Sequence, residues 1–184
     1  METYTGRKIF PMAARVAEIK IEDIAHALSN LCRFAGHTEY FYSVAQHSVM
    51  VSHLSDGSSK MEGLLHDATE AYLVDIPRPV KLALPQYKEY EANLCKVIFR
   101  AFKLQYPIPF SVLLADEIML EAEHRQLLHS ELEWEDLPDE FKKIKDFDKL
   151  AADVRIEPML PRNAEKLFLE TFESYGGKLN GTKV

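Results

Sequence analysis

Residues 43–81, SVAQHSVMVSHLSDGSSKMEGLLHDATEAYLVDIPRPVK, decide the fold expected of this chain. A capping-box spacing at Ser43 begins a helical pattern of apolar residues that continues to about Leu54. The turn-forming residues 55–59 follow, and a second helical stripe then covers residues 61–72. Two helices joined by so short a turn are expected to pack as an antiparallel hairpin. The prolines that follow the second stripe should end it, because proline lacks the backbone donor that a helix interior needs.

The rest of the chain repeats this helical character. Further helical patterns cover 21–31, 86–102, 111–132 and 161–175, and they are separated by turns and proline-bearing connections. Little of the sequence alternates with period two, so strands are not expected. We therefore predict one all-α domain over 1–184, with a core at about 21–128, C-terminal helices within 137–176 and a frayed tail at 177–184.

Composition and charge exclude several classes of protein. A chain of 184 residues with 47% hydrophobic residues can bury a sizeable core. Its net charge of -7 disfavours non-specific binding to nucleic acids or anionic membranes, which are themselves negative. Cys32 and Cys95 are too few for a disulfide scaffold or a thiolate zinc site. With no apolar leader or membrane-spanning run, the expectation is a soluble cytoplasmic protein.

Two histidines and two aspartates are candidate metal ligands. His47 lies on the first helix of the hairpin and the adjacent His66 and Asp67 lie on the second, so close packing would bring them together. Asp116 stands within an apolar run on a third helix, where an ionised carboxylate is costly unless a cation neutralises it. A set of nitrogen and oxygen ligands suits one divalent ion of Mn, Co, Ni, Fe, Mg or Zn.

A plain interpretation stands beside this one. A His-Asp dipeptide occurs by chance in many proteins, and a histidine near a helix hairpin is often an ordinary core or surface residue. Glu70, one turn after His66, could orient or deprotonate a water or protonate a leaving oxygen, or could be an exposed helix acid. Asp75 could accept a hydrogen bond from a substrate hydroxyl or could end the helix as a turn residue.

Three basic residues are candidates for binding phosphate. Arg33 follows an apolar helix and precedes a glycine, so its guanidinium can project from the helix end into a cleft and grip phosphate through two donors. Arg78 and Lys81 lie in the proline-bearing stretch after the second hairpin helix. They could supply the local positive charge that an acidic protein needs to hold a phosphate, or they could be solvated loop residues.

The order His47, His66-Asp67, Asp116 resembles the H…HD…D signature of the HD-domain metal-dependent phosphohydrolase superfamily. The surrounding segments 42–48 and 66–81 are similar to the YfbR- and YfdR-like branch, whose characterised members include 5'-deoxynucleotidases. The likeness covers about residues 21–128. It implies an HD-domain helical bundle in which the four signature residues hold the metal between core helices.

The resemblance also implies roles for residues outside the metal site. Arg33 would contact phosphate, Glu70 would be the catalytic acid or base that activates water, and Asp75 would bind the sugar 3'-hydroxyl. In members that prefer deoxyribose a tryptophan follows the arginine, whereas this chain has Phe34, which leaves the choice between deoxyribose and ribose open. His37, close to Arg33, would approach a phosphate or simply pack.

The function expected from the sequence is a metal-dependent 5'-nucleotidase that releases phosphate from (deoxy)nucleoside 5'-monophosphates. The alternatives are a (d)NTP triphosphohydrolase or pyrophosphohydrolase, a guanosine tetraphosphate hydrolase, and a non-catalytic HD-type nucleotide-binding regulator. The expected partners are a small nucleotide substrate and a second copy of the chain, as a homodimer or higher homo-oligomer. Neither a nucleic acid nor a membrane is expected.

Overall fold

The computed structural model describes residues 1–129, 138, 141 and 143–179, and their regular structure is helical. The α-helices are α1 Ile21–Asn30, α2 Val44–Leu54, α3 Lys60–Leu65, α4 Glu70–Leu73, α5 Arg78–Leu82, α6 Pro85–Phe102, α7 Phe110–Leu127, α8 Phe147–Asp153 and α9 Pro161–Ser174. Short 3-10 helices cover Pro11–Ala13, Val16–Glu18 and Arg33–Gly36. These described residues contain no β-strand, which confirms the predicted all-α class.

Helix α2 lies at the centre of the molecule, between two apolar clusters. One cluster contains Val44 and Val49 of α2 and joins them to residues of α1, α3, α6 and α9. The other contains Val51 and joins it to α7 and α8. Because α2 is packed from both sides, most of its residues are buried, among them His47, which has no exposed surface. A polar side chain at such a position must find its partners inside the protein.

The start of α2 agrees with the predicted cap, with one difference. The Ser43 hydroxyl accepts a hydrogen bond from the backbone N–H of Gln46 at 3.1 Å, as an N-cap does. The Gln46 side chain does not return to the cap. Its amide donates to the carbonyl of Glu157 at 2.8 Å and accepts from the backbone N–H of Met159 at 3.1 Å. Gln46 therefore ties the segment before α9 to the central helix.

The prediction of one continuous second helix over residues 61–72 is wrong. The chain forms α3 and α4 instead, and His66 to Thr69 make tighter turns between them. The Ala68 N–H donates to the Leu65 carbonyl at 3.1 Å and the Glu70 N–H to the Asp67 carbonyl at 2.9 Å, which are three-residue spacings. Aspartate and threonine are weak helix formers because their short side chains compete with the backbone.

Two other predicted boundaries need correction. Residues 78–82 were expected to be a loop, but they form α5, with Pro79 in its first turn, where a missing donor costs nothing. Helix α7 ends at Leu127, although the pattern predicts helix to about residue 132. Leu128 is extended, and the Leu127 carbonyl accepts the backbone N–H of Glu39 at 3.1 Å. The predicted residues 130–132 lie outside the described part of the chain.

The C-terminal region agrees with the prediction where it is described. Helix α9 matches the predicted 161–175, and α8 falls within the expected C-terminal range. Residues 180–184 of the predicted frayed tail lie outside the described residues. Among the helices that the structure describes, none has the length and apolarity needed to span a membrane.

Gly63 sets the distance between α2 and α3. A Cβ at this position would lie 2.6 Å from the Ser55 hydroxyl and 3.0 Å from the Cα of Ser52. Because the Ser52 atom belongs to the backbone of the central helix, it cannot swing aside. Glycine at this position therefore lets the two helices approach closely enough for His47 and His66 to meet.

We expect Gly63→Ala to lower the free energy of unfolding by about 1–3 kcal/mol, because α3 must move away from α2. Gly57→Ala is the matched control, since a Cβ at Gly57 meets no atom within 4 Å. Urea unfolding followed by circular dichroism measures both, and the control should stay within about 1 kcal/mol of wild type. Equal stability of the two variants would contradict this account of the helix contact.

Candidate metal centre

Four side chains from three parts of the fold meet at one point. His47 comes from α2, His66 and Asp67 from the turn after α3, and Asp116 from α7. The Nε2 atom of His47 lies 3.3 Å from His66 Nε2 and 3.1 Å from Asp116 Oδ1. The Nε2 atom of His66 lies 3.2 Å from Asp67 Oδ2. The predicted metal ligands are thus all brought together.

The spacing of these atoms fits one metal ion. Metal–ligand bonds of about 2.0–2.2 Å at angles between 90° and 109° separate neighbouring ligand atoms by about 2.8–3.6 Å. Of the two longer distances, the 3.6 Å from His47 Nε2 to Asp67 Oδ2 lies at the upper end, and the 3.7 Å from His66 Nε2 to Asp116 Oδ1 slightly exceeds it. His47, His66 and Asp67 alone form a cluster that can hold a metal ion. The Asp116 oxygen adds a fourth ligand atom beside them.

Both imidazoles are held in the tautomer that metal binding needs. His47 Nδ1 lies 2.6 Å from Glu123 Oε1, and His66 Nδ1 lies 2.8 Å from the Gly63 carbonyl oxygen. A carboxylate and a carbonyl can only accept, so each Nδ1 carries the hydrogen and donates it. The Nε2 lone pairs are then directed toward the shared point, as in histidine metal sites whose outer nitrogen is hydrogen-bonded.

The electrostatics of this point favour positive charge. Burial lowers the pKa of His66, but Asp67 and Asp116 outweigh burial and raise it well above its usual value. Burial raises the pKa of Asp67, yet His66 and His47 lower it to about 2. Asp116 behaves in the same way: burial raises its pKa, but the neighbouring imidazoles of His47 and His66 hold it well below its usual value. Two ionised carboxylates facing two imidazole nitrogens provide the charge that attracts a divalent cation.

Glu123 connects the metal ligands to Arg33. This carboxylate has no exposed surface, and while Oε1 accepts from His47, Oε2 lies 3.0 Å from both Nε and Nη2 of Arg33. Arg33 Nη1 is 3.6 Å from Asp67 Oδ2. Burial lowers the pKa of Arg33, but the surrounding carboxylates, Glu123 first, raise it overall. Arg33 therefore remains charged and is fixed beside the ligand cluster.

Glu123 is a residue that the sequence analysis missed, although a signal for it exists. It lies seven residues after Asp116 on α7, about two helical turns along the same face. It is also an acid that follows the buried Ala122. An acid two turns from a proposed ligand on one helix face is the pattern that would have found it.

The backbone after Arg33 is held in an uncommon conformation. Phe34 and Ala35 both have positive φ, 54° and 50°, in the left-handed region that residues with a side chain seldom adopt. The Arg33 N–H donates to the Tyr42 carbonyl at 2.9 Å, which anchors the segment to the chain just before α2. The Arg33 guanidinium lies 5.5 Å from the centre of the Phe34 ring. This turn presents both side chains to the same cleft.

A cleft of about 190 Å³ opens beside the metal ligands. Its lining contains two of the predicted metal ligands, Asp67 and Asp116, and all but one of the predicted catalytic and substrate-binding residues: Arg33, Phe34, Glu70, Asp75, Arg78 and Lys81. Ile76, Pro77, Pro79 and Leu120 complete it and were not predicted. His37 is the exception among the predicted residues, because it is exposed and lies outside this lining.

Glu70 is a buried acid at the edge of the cleft. Only 5% of its surface is exposed, so the alternative of an exposed helix acid does not hold. Its Oε1 lies 3.7 Å from Lys81 Nζ, and its Oε2 is buried with no hydrogen-bond partner among the described residues. Burial, together with the charges of Asp67 and Asp75, raises its pKa well above the usual value. Such a carboxyl is suited to exchanging a proton.

The other basic residues of the cleft are also matched by acids. Arg78 Nη2 lies 2.7 Å from Glu117 Oε1, and Lys81 Nζ lies 2.8 Å from Glu91 Oε1. Neither Glu117 nor Glu91 was anticipated, because each lies on a different helix from its partner. Both bases are thereby held in place along the cleft wall.

Asp75 enters the cleft from a strained turn. Val74, just before it, has φ 71° and ψ 153°, a region in which glycine is almost the only common residue. Burial is the main cause of the raised pKa of Asp75. Strained backbone of this kind is concentrated at functional sites, where it fixes the direction of a side chain.

Comparisons with known proteins give relatives of undetermined function. The chain is 45% identical over 127 residues to the uncharacterised protein YfdR of Escherichia coli K12, covering 69% of this chain and 71% of the relative. It is 33% identical over 137 residues to an uncharacterised protein of Rhodobacter capsulatus, covering 67% of this chain and 70% of that relative. No protein-family model matches the chain.

We expect Glu123→Ala to weaken divalent-metal binding by about 10- to 100-fold, because His47 loses the partner that fixes its tautomer and orientation. Titration with Mn²⁺ or Co²⁺ measures the change. Glu121→Ala is the matched control on the same helix, since Glu121 pairs with Arg125 at 2.6 Å instead of with a ligand. Metal affinity that is equal in both variants would contradict the role given to Glu123.

Proposed function

The chain belongs to the family of the Escherichia coli protein YfdR, and we propose that it is a divalent-metal-dependent phosphohydrolase of small nucleotides. One arrangement of side chains supports this proposal. His47, His66, Asp67 and Asp116 converge at a point beside a fixed guanidinium and a buried carboxyl. Metal, phosphate-binding base and proton-transfer group are the parts that phosphate ester hydrolysis requires.

We assign the chain to the HD-domain superfamily because of the order in which its candidate metal ligands occur along the sequence. The H…HD…D order at His47, His66, Asp67 and Asp116 is matched by convergence of the four side chains. These side chains come from α2, from the turn after α3 and from α7 of an all-α fold. The relatives are uncharacterised, so this assignment depends on the residues of this chain.

A divalent ion held by the four ligands would polarise a phosphoryl oxygen and lower the pKa of water. Arg33, fixed by Glu123, would bind a phosphoryl oxygen through the donors that face the cleft and would neutralise charge that develops there. Glu70 would take a proton from the attacking water or give one to the leaving oxygen. Its raised pKa suits it to both steps.

The charge of the cleft favours a monophosphate substrate over a triphosphate. Four acids line it, Asp67, Glu70, Asp75 and Asp116, against three bases, and each of those bases is already paired with a glutamate. One divalent ion offsets part of this excess. A nucleoside monophosphate carries two negative charges and a triphosphate about four, so the monophosphate meets less repulsion.

We assign sugar recognition to Asp75 and Phe34, which line the cleft at turns of strained backbone. Asp75 would accept a hydrogen bond from the 3'-hydroxyl, because the turn at Val74 directs it into the lining. Phe34 supplies an apolar wall beside Arg33 for the sugar or base. Arg78 and Lys81, which also line the cleft, would contribute to phosphate binding.

A panel of dAMP, AMP, dATP and ATP with Mn²⁺, Co²⁺ or Mg²⁺ tests the proposal. We expect inorganic phosphate from the monophosphates, with slower turnover of the triphosphates. Release of pyrophosphate or triphosphate as the main product would support a triphosphohydrolase or pyrophosphohydrolase instead. If the metal-loaded protein hydrolyses none of these nucleotides, the proposed enzymatic function is wrong and a nucleotide-binding regulator is favoured.

We expect Glu70→Gln to lower kcat by about 10²- to 10⁴-fold while leaving metal content unchanged, because the amide cannot exchange a proton. Glu89→Gln, at an exposed position on α6, is the control and should retain wild-type turnover. Steady-state phosphate release and elemental analysis together measure the two effects. Unchanged turnover in Glu70→Gln would remove Glu70 from the mechanism.

A further inference from the structure

A second groove, separate from the cleft beside the candidate metal ligands, lies at the C-terminal end of α6. It has a volume of about 600 Å³ and is lined by Lys96, Phe99, Arg100, Lys103, Leu104 and Tyr106. None of these residues belongs to the lining of the metal-centre cleft. The groove is thus a different site on the protein.

Positive charge is concentrated in this groove. Lys96, Arg100 and Lys103 are spaced by four and three residues, which places them along one face of the helix end. All three are exposed, and none forms an ion pair with any residue that the structure describes. The bases of the metal-centre cleft differ, because each of those is paired with a glutamate. Unmatched cations on a chain of net charge -7 make this groove a local site for an anion.

An aromatic wall limits what kind of anion fits. Tyr106 is 43% exposed, and its ring packs edge-on against Phe99 with 6.4 Å between centroids. Lys96 Nζ lies 5.6 Å from the centre of the Tyr106 ring. A flat ring beside three cations can stack on a planar base while the cations bind phosphates. A simple inorganic anion would not use the ring.

Helix geometry offers a plain alternative for part of this pattern. Basic residues at a helix C-terminus interact favourably with the helix dipole and need no ligand. That explanation covers Arg100 and Lys103 but not Lys96, which lies nearly two turns earlier in α6. It also does not account for the exposed ring of Tyr106 next to them.

We propose that this groove is a binding site for a polyphosphate-bearing nucleotide, with Lys96, Arg100 and Lys103 on the phosphates and Tyr106 against the base. The site does not depend on the function proposed for the metal centre. A long nucleic acid would meet repulsion from the rest of the acidic surface, so a small ligand is favoured. The groove would bind the nucleotide and leave it unchanged.

Isothermal titration calorimetry with ATP and with inorganic triphosphate tests the site, in EDTA to prevent hydrolysis. The acid-rich cleft of the metal centre should repel both probes under these conditions. Lys96→Glu/Arg100→Glu should weaken ATP binding at least about tenfold, since two charge-assisted contacts become repulsive. Lys88→Glu/Lys149→Glu makes the same change in net charge at exposed positions on α6 and α8 and should bind ATP as wild type does. Thermal unfolding checks that both variants are folded.

Three outcomes would overturn the proposal. If the wild-type protein binds neither ATP nor inorganic triphosphate, the groove is not a nucleotide-binding site. If both double variants weaken ATP binding equally, the net charge of the protein explains the binding and the groove does not. If inorganic triphosphate binds as tightly as ATP, Tyr106 does not contact a base. If ATP binds more tightly, and Tyr106→Ala lowers its affinity to that of triphosphate, the proposed contact between Tyr106 and the base is supported. Nucleotidase activity is measured separately in Lys96→Glu/Arg100→Glu, and its presence or absence bears on the metal centre alone.

Discussion

The hydrogen bond of 2.6 Å between His47 Nδ1 and Glu123 is the interaction on which the rest of the site depends. It joins the central helix α2 to α7 inside the apolar core, and both residues are completely buried. A buried carboxylate is stable only when charge or hydrogen bonds compensate it, and His47 and Arg33 do so together. One carboxylate therefore fixes His47, a candidate metal ligand, through one oxygen and Arg33, the proposed phosphate-binding group, through the other.

Charge is organised in the same way throughout the metal-centre cleft. Arg33, Arg78 and Lys81 line it, and each is held by a glutamate from another helix. The acids that face the open cleft remain in excess. On a protein of net charge -7, a phosphate bound in this cleft would need a cation that reverses the local sign. This requirement links the acidic composition to the metal centre.

The sequence predicts most of the helices and the four candidate metal ligands that the fold brings together, because both depend on local pattern. Helical periodicity locates α1, α2, α6 and α9, and the four ligands stand out as polar residues in apolar surroundings. The break between α3 and α4 is not visible, since the apolar stripe continues across His66 and Asp67 and the tight turns arise from backbone bonding. Glu123, Glu117 and Glu91 are missed because an acid on a helix is ordinary until its partner from elsewhere in the chain is known. The strain at Val74 is a product of tertiary packing and has no signature in the sequence.

The central claim is that His47, His66, Asp67 and Asp116 bind one divalent ion at one point. Anomalous diffraction from crystals grown with Mn²⁺ tests it most directly, since it locates the metal without reference to activity. The account predicts a single strong peak at about 2.0–2.3 Å from the two Nε2 atoms and the two carboxylate oxygens. A peak elsewhere, or none at this point in crystals that contain manganese, would contradict it.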